Sequence, residues 1–151
     1  MYQPRTPNAK ADPVARWALP DRVFFACGAC HILTYAFLKR YPSAGFNPLW
    51  IRPKGRFAGN HIIAVRGEMA FDYHGFTVLP TLLNHTVGRA RQRWSGWDAD
   101  LVALPIDVLV SESLSKTYPG LWLREPGQFL FDALARANKF LMRYPPPSAE
   151  S

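Results

Sequence analysis

Between Gly28 and Tyr41 the chain has no proline, and Ile32, Leu33, Tyr35, Ala36, Phe37 and Leu38 put apolar side chains around nearly the whole circumference of a helix. A helix apolar nearly all round is a buried one, so residues 29–40 are expected to form a buried helix. Tyr41-Pro42 ends it, because the residue before proline is pushed out of helical geometry. The clearest strand signal lies downstream. Asn60–Arg66 and Met69–His74 flank Gly67-Glu68, a two-residue loop that opens with glycine, as a type II′ hairpin prefers. Leu49–Arg52 predicts a short strand, and Val23-Phe24-Phe25 reads as another just ahead of the buried helix. Leu101–Leu104 and Ile106–Val110 read as strand interrupted by Pro105, and Pro80 to about Trp94 as a helix weakened by Gly88. Pro126 to Arg143 has the best amphipathic pattern, with Phe129, Leu130, Ala133, Leu134, Ala137, Phe140 and Leu141 on one side. Pro126 stands near its start, where the missing N–H costs nothing.

These elements define an α+β fold: a buried helix from the N-terminal half against a small antiparallel sheet, with a C-terminal amphipathic helix covering part of it. Residues 1–20 read as a flexible arm with a turn of helix around Val14–Trp17, residues 21–144 as one domain, and residues 145–151 as a polar tail opened by Pro145-Pro146-Pro147. At 151 residues, 48% of them hydrophobic, the chain can bury a core, so disorder is not its default state. No apolar run approaches the roughly 20 residues of a membrane span. The first thirteen residues, MYQPRTPNAKADP, lack the apolar core of an export signal. The expected location is therefore cytoplasmic as synthesised, with a leaderless secretion route still open. In a reducing compartment two cysteines act more often as thiols than as a bridge.

The net charge of +7 gathers in Arg52–Arg56 and Arg89–Arg93. Such an excess attracts nucleic acid or an acidic partner, and solvated loops produce it equally well. No nucleic-acid fold signature accompanies it, so nucleic acid is the less favoured partner.

Both cysteines fall in Cys27-Gly28-Ala29-Cys30-His31. As Cys-x-x-Cys-His this is the pattern of covalent haem attachment, which normally follows export. As Cys-x-x-Cys before a helix it resembles a thioredoxin-type dithiol, in which Cys27 and Cys30 would both act. As half a zinc site it would need His61 and His74 as the remaining ligands, without a second closely spaced pair. Either cysteine could also be a small buried hydrophobe. The remaining reading makes Cys30 a nucleophile at the start of a helix, whose N–H groups and dipole favour the thiolate.

A nucleophile needs a base within hydrogen-bond reach and a third group to orient that base. If Gly67-Glu68 is the loop, Arg66 pairs with Met69, and His61, Ile63 and Val65 share a face with Ala70, Asp72 and His74. Asp72 is then the diagonal neighbour of His61, and a loop one residue longer would send it to the other face. Taken alone, Asp72 could simply cap a turn, and His74 competes with His61 as the base. Cys27 and His31 are expected to be bystanders.

The run Cys27–Leu38 is similar to the Gly-x-Cys helix opening of the transglutaminase-like branch of the papain-like cysteine enzymes, and Asn60–Asp72 resembles the His strand, turn and Asp strand of that superfamily. The resemblance covers about residues 23–76. It implies a papain-like, transglutaminase-like core that carries a Cys30–His61–Asp72 triad and acts on a peptide or protein amide or ester, as a peptidase, amidase, deamidase or transferase. It requires no metal or organic cofactor. Position 24 is Phe where papain-type enzymes carry an oxyanion-hole glutamine, which leaves the backbone N–H of Cys30 and a neighbour for that task. Two other functions stand beside it: a non-enzymatic basic binding module for nucleic acid or an acidic protein, and a Cys-x-x-Cys dithiol redox protein.

Overall fold

The computed structural model describes residues 12–148. Within them the chain runs α1 (Pro13–Trp17), α2 (Asp21–Ala26), α3 (Cys30–Arg40), β1 (Asn47–Pro53), β2 (His61–Arg66), β3 (Met69–Asp72), β4 (Gly75–Val78), α4 (Leu79–Arg93), β5 (Ala99–Ala103), α5 (Glu112–Ser115) and α6 (Ala133–Leu141). Single 3₁₀ turns lie at Ile106–Val110 and Pro126–Gln128. The strands form a five-stranded antiparallel sheet in the order β4-β3-β2-β1-β5.

Alternation along the strands builds two apolar layers. Trp50, Ile62, Ala64 and Phe71 face the core beneath α3, while Ile51, Ile63 and Ala70 face the smaller core beneath α4. On its far side α3 is covered by α6, which explains why a helix only 11 residues long buries eight of them. Phe37 is the centre of this packing: it stacks on Phe71 at 4.3 Å and meets Phe46 edge-on at 5.1 Å. Pairs of that geometry add about 0.5–1.5 kcal/mol each beyond the area they bury.

The hairpin has the expected register, Arg66 opposite Met69. Gly67 has φ +57°, and among the described residues no non-glycine residue has a positive φ, so only the first loop position is left-handed, as type II′ requires.

Four expectations are corrected. Val23-Phe24-Phe25 is not a strand but lies in α2, where both phenylalanines are fully buried. Ile106–Val110 is a 3₁₀ turn that presses Val108 and Leu109 onto the α3 core, so packing overrides the β propensity of its branched residues. The C-terminal helix starts at Ala133, not Pro126, because Asp132 caps it by accepting from Ala135 N at 3.0 Å, and Glu125 and Gln128 close a separate capping box. The strand expected to run to His74 stops at Asp72, where the Asp72 carboxylate accepts from the His74 N–H at 2.9 Å and β4 turns back.

The described part of the expected arm is packed. Trp17 sits edge-on to Phe24 at 5.3 Å, and Arg136 of α6 donates to the Trp17 and Leu19 carbonyls at 2.8 and 2.7 Å. Residues 1–11 of that arm lie outside the described residues, as do residues 149–151 of the expected tail. At the other end, Arg66 donates to the Ser148 carbonyl at 2.8 Å, holding Pro145–Pro147 over Phe46 and Phe76. No helix among the described residues is long and apolar enough to cross a membrane.

Candidate active site

Gly28 makes the α2–α3 corner. Its φ of +110° is open to glycine and strained for other residues, and the buried Arg16 guanidinium lies where a Cβ would project. Helix α3 then starts at Cys30 with Ala29 as its N-cap and no side-chain cap. The N–H groups of Ile32 and Leu33 turn to the Ala29 carbonyl, leaving those of Cys30 and His31 as the orphan donors of the first turn.

His61 opens β2 and Asp72 closes β3, both at the end of the hairpin away from the turn. There His61 Nε2 and Asp72 Oδ2 are 2.9 Å apart, and His61 hydrogen-bonds the Cys30 side chain. With Nε2 committed to the carboxylate, Nδ1 is the nitrogen left for the sulfur. Exposure is 8% for Cys30 and 4% for each of the other two. The three residues expected to work together are thus in one buried cluster. His74 does not stand opposite His61. It sits in the β3–β4 turn, with its Nδ1 3.4 Å from Asp72 Oδ1 and its ring near His85, at a centroid distance of 5.4 Å. Asp72 therefore both caps the turn and holds His61.

Burial opposes charge on all three groups, and their mutual contacts reverse it. Burial pushes the Cys30 thiol up, but hydrogen bonds from His31 and His61 and the charges of those rings bring it down to about 5. Burial pushes His61 down, while Asp72 and Cys30 carry it up to about 10. Asp72 is held well below the usual carboxylate range, its burial outweighed by the bonds from His61 and His74. The favoured state at neutral pH is a thiolate–imidazolium pair beside a carboxylate.

The two expected bystanders, Cys27 and His31, are both buried. His31 follows Cys30 in the first turn of α3, and its Nε2 lies 2.7 Å from the Arg124 carbonyl. Its adjacency to Cys30 was the only signal in the sequence, and nothing there placed Arg124 beside it. Cys27 is buried at the end of α2, in no disulfide and next to the Arg16 charge.

A cavity of about 380 Å³ adjoins Asn60, the residue before His61, and is lined by Trp50, Arg52, Lys54, Phe57, Asp100 and Gly120 among others. Asn60 accepts from Trp50 Nε1 at 2.9 Å and donates to the Gly120 carbonyl at 3.2 Å. The basic clusters converge on this end of the sheet with internal partners: Lys54 and Arg91 reach Asp98 at 3.1 and 3.9 Å, and Arg52 reaches Asp100 at 3.3 Å. Among the described residues no group of three or more His, Cys, Asp or Glu side chains is arranged to hold a metal ion.

No protein-family model, curated protein or solved structure matches the chain.

Proposed function

We propose that the protein is a cysteine-dependent acyl-transfer enzyme with a papain-like, transglutaminase-like core, acting on a peptide or protein amide or ester. One observation carries the reading. A cysteine at the uncapped start of a buried helix is hydrogen-bonded to a histidine whose other ring nitrogen bonds a buried carboxylate. Structural cysteines are small hydrophobes, and the core gains nothing from burying an aspartate and a histidine beside one. A charged relay aimed at the sulfur suits nucleophilic catalysis.

In the mechanism the Cys30 thiolate attacks the carbonyl carbon, forming the C–S bond as the π electrons move to oxygen. The N–H groups of Cys30 and His31 are the donors for that oxyanion. His61 gives its Nδ1 proton to the leaving amine or alkoxide, while Asp72 keeps Nε2–H in place and stabilises the imidazolium before transfer. The neutral His61 then takes a proton from water or an acceptor amine, which attacks the thioester and frees Cys30. Water makes the reaction a hydrolysis and an amine makes it a transfer.

An activated aryl ester tests this directly. The expected result is a burst of one phenolate per chain, with a matching acyl mass gain on the peptide that carries Cys30, both absent in Cys30→Ala. An equal burst from Cys30→Ala would sink the reading. Adding a primary amine and measuring the split between free acid and amide then separates hydrolysis from transfer.

A further inference from the structure

The cavity beside Asn60 takes no part in that mechanism, yet strand register builds its walls. Trp50 of β1 faces the core beneath α3, so Arg52, two residues on, turns to the same side of the sheet. Its guanidinium stands 5.6 Å from the Trp50 ring centre. Asp100 of β5 is the direct partner of Arg52 and accepts from its Nη2 at 3.3 Å. Lys54 Nζ lies 3.7 Å from the other Asp100 oxygen and 3.1 Å from Asp98, which stands outside the walls. Asn60 ties Trp50 to Gly120, and the segment after Gly120 reaches the start of α3, where the Arg124 carbonyl meets His31. The cavity therefore opens on the Cys30 side of the sheet, against the residue that precedes His61.

We propose that this cavity is the leaving-group subsite and takes a carboxylate carried by the residue on the departing amine, held by Arg52 and Lys54. The inference rests on the acyl-transfer reading above. In that reading His61 protonates the leaving amine, so the residue joined to that amine lies on the His61 side of the sulfur, where Asn60 and the cavity begin. Charge selects the ligand. The walls carry two cations and one carboxylate, and each Asp100 oxygen already has a cation against it. An incoming ammonium would meet only that occupied carboxylate. An incoming carboxylate meets two cations with donors to spare. Among the described residues Arg52 bonds Asp100 through Nη2 alone, leaving Nε and Nη1, and Lys54 shares three hydrogens between two oxygens. The two side chains are 39% and 49% exposed, so their present ion pairs hold them weakly and a substrate can share them. Trp50, Phe57 and Pro119 supply apolar surface for the methylenes ahead of the carboxylate. A volume of about 380 Å³ is at the small end of ligand sites, about 300–1,000 Å³, and suits one residue rather than a long segment.

The test is competition for that subsite in the aryl-ester burst, with the full chain at fixed ionic strength. N-acetylglutamate α-amide is compared with N-acetylglutamine α-amide, which has nearly the same shape without the charge. N-acetylglycine is compared with N-acetylglycinamide, which separates a terminal carboxylate from a side-chain one. The expected result is inhibition about tenfold stronger by the carboxylate member of at least one pair, falling to parity in an Arg52→Gln, Lys54→Gln double variant. The pair that responds names the source of the carboxylate. Each ratio is taken within one variant, so a general change in activity cancels. Equal inhibition within both pairs, no inhibition, or a preference that survives in the double variant overturns the subsite and leaves the triad standing. Absence of a Cys30-dependent burst from the parent chain overturns the acyl-transfer reading, and this inference with it. If circular dichroism shows that the double variant does not fold, Arg52→Gln and Lys54→Gln are read singly, each expected to lower the preference.

Discussion

Cys30 and His61 hold one mobile proton between them, and its place is set by what lies behind each residue. Asp72 stands 2.9 Å behind His61, so the proton favours the imidazole. In the proposed reaction attack needs the thiolate and departure of the leaving group needs the imidazolium, so both limits of the proposed activity follow from this pair. The pH profile of kcat/KM in the free enzyme is expected to be a bell with limbs at about 5 and about 10. These values belong to the coupled pair rather than to either residue alone. A single limb near the ordinary thiol value would contradict the pairing. Asp72→Asn leaves an oxygen that can accept from His61 Nε2–H but removes the charge, so kcat is expected to fall by about 10²–10⁴ with KM little changed. The same change is expected to raise the alkylation midpoint of Cys30.

The triad depends on how elements are joined as much as on its side chains. At the α2–α3 corner, Gly28→Ala would strain the backbone at φ +110° and drive a methyl into the Arg16 guanidinium. A loss of about 1–3 kcal/mol is expected, measured by urea unfolding. At the opposite flank, Arg136 binds Asp21 at 2.9 Å as well as two carbonyls, and its guanidinium lies 4.0 Å from the centre of the Phe24 ring. Arg136→Ala removes charge-assisted bonds in a half-buried setting, and a cost of about 2–3 kcal/mol is expected by the same assay. Little change in stability would mean that α1 and α2 are held by apolar packing alone. The hairpin supplies the third junction, and it was the most legible: Gly67-Glu68 set the register that brings Asp72 to His61. The Ile106–Val110 segment was not legible, because a branched apolar run reads as strand until α3 offers it a surface to cap.

Across the whole molecule the site leaves a mark on stability. Cys30 is held below its ordinary value of 9.0, so its contribution is complete above that value and is lost as pH falls through about 5. His61 is held above its ordinary 6.5, so its contribution is complete below 6.5 and is lost as pH rises through about 10. Between 6.5 and 9.0 the two slopes are opposite, because the folded thiolate–imidazolium pair binds as many protons as the unfolded thiol and neutral imidazole. The stability contributed by this pair is therefore expected to be level from about 6.5 to 9.0 and to decline on both sides. Subtracting the urea-unfolding curve of a Cys30→Ala, His61→Gln double variant from that of the parent isolates this profile. A difference that rises steadily across the plateau would contradict it.

The sequence by itself determined the local elements whose cause is local. The proline-free apolar run makes α3, the glycine-led loop makes the β2–β3 hairpin and its register, and the spacing of Cys30, His61 and Asp72 follows from both. Only the tertiary structure decided which groups touch the sulfur. Residues 93 positions apart meet when the His31 ring finds the Arg124 carbonyl, and no pattern along the chain encodes that contact. The thiolate is favoured for the same reason: burial alone would oppose it, and only the groups that folding gathers around Cys30 outweigh that cost.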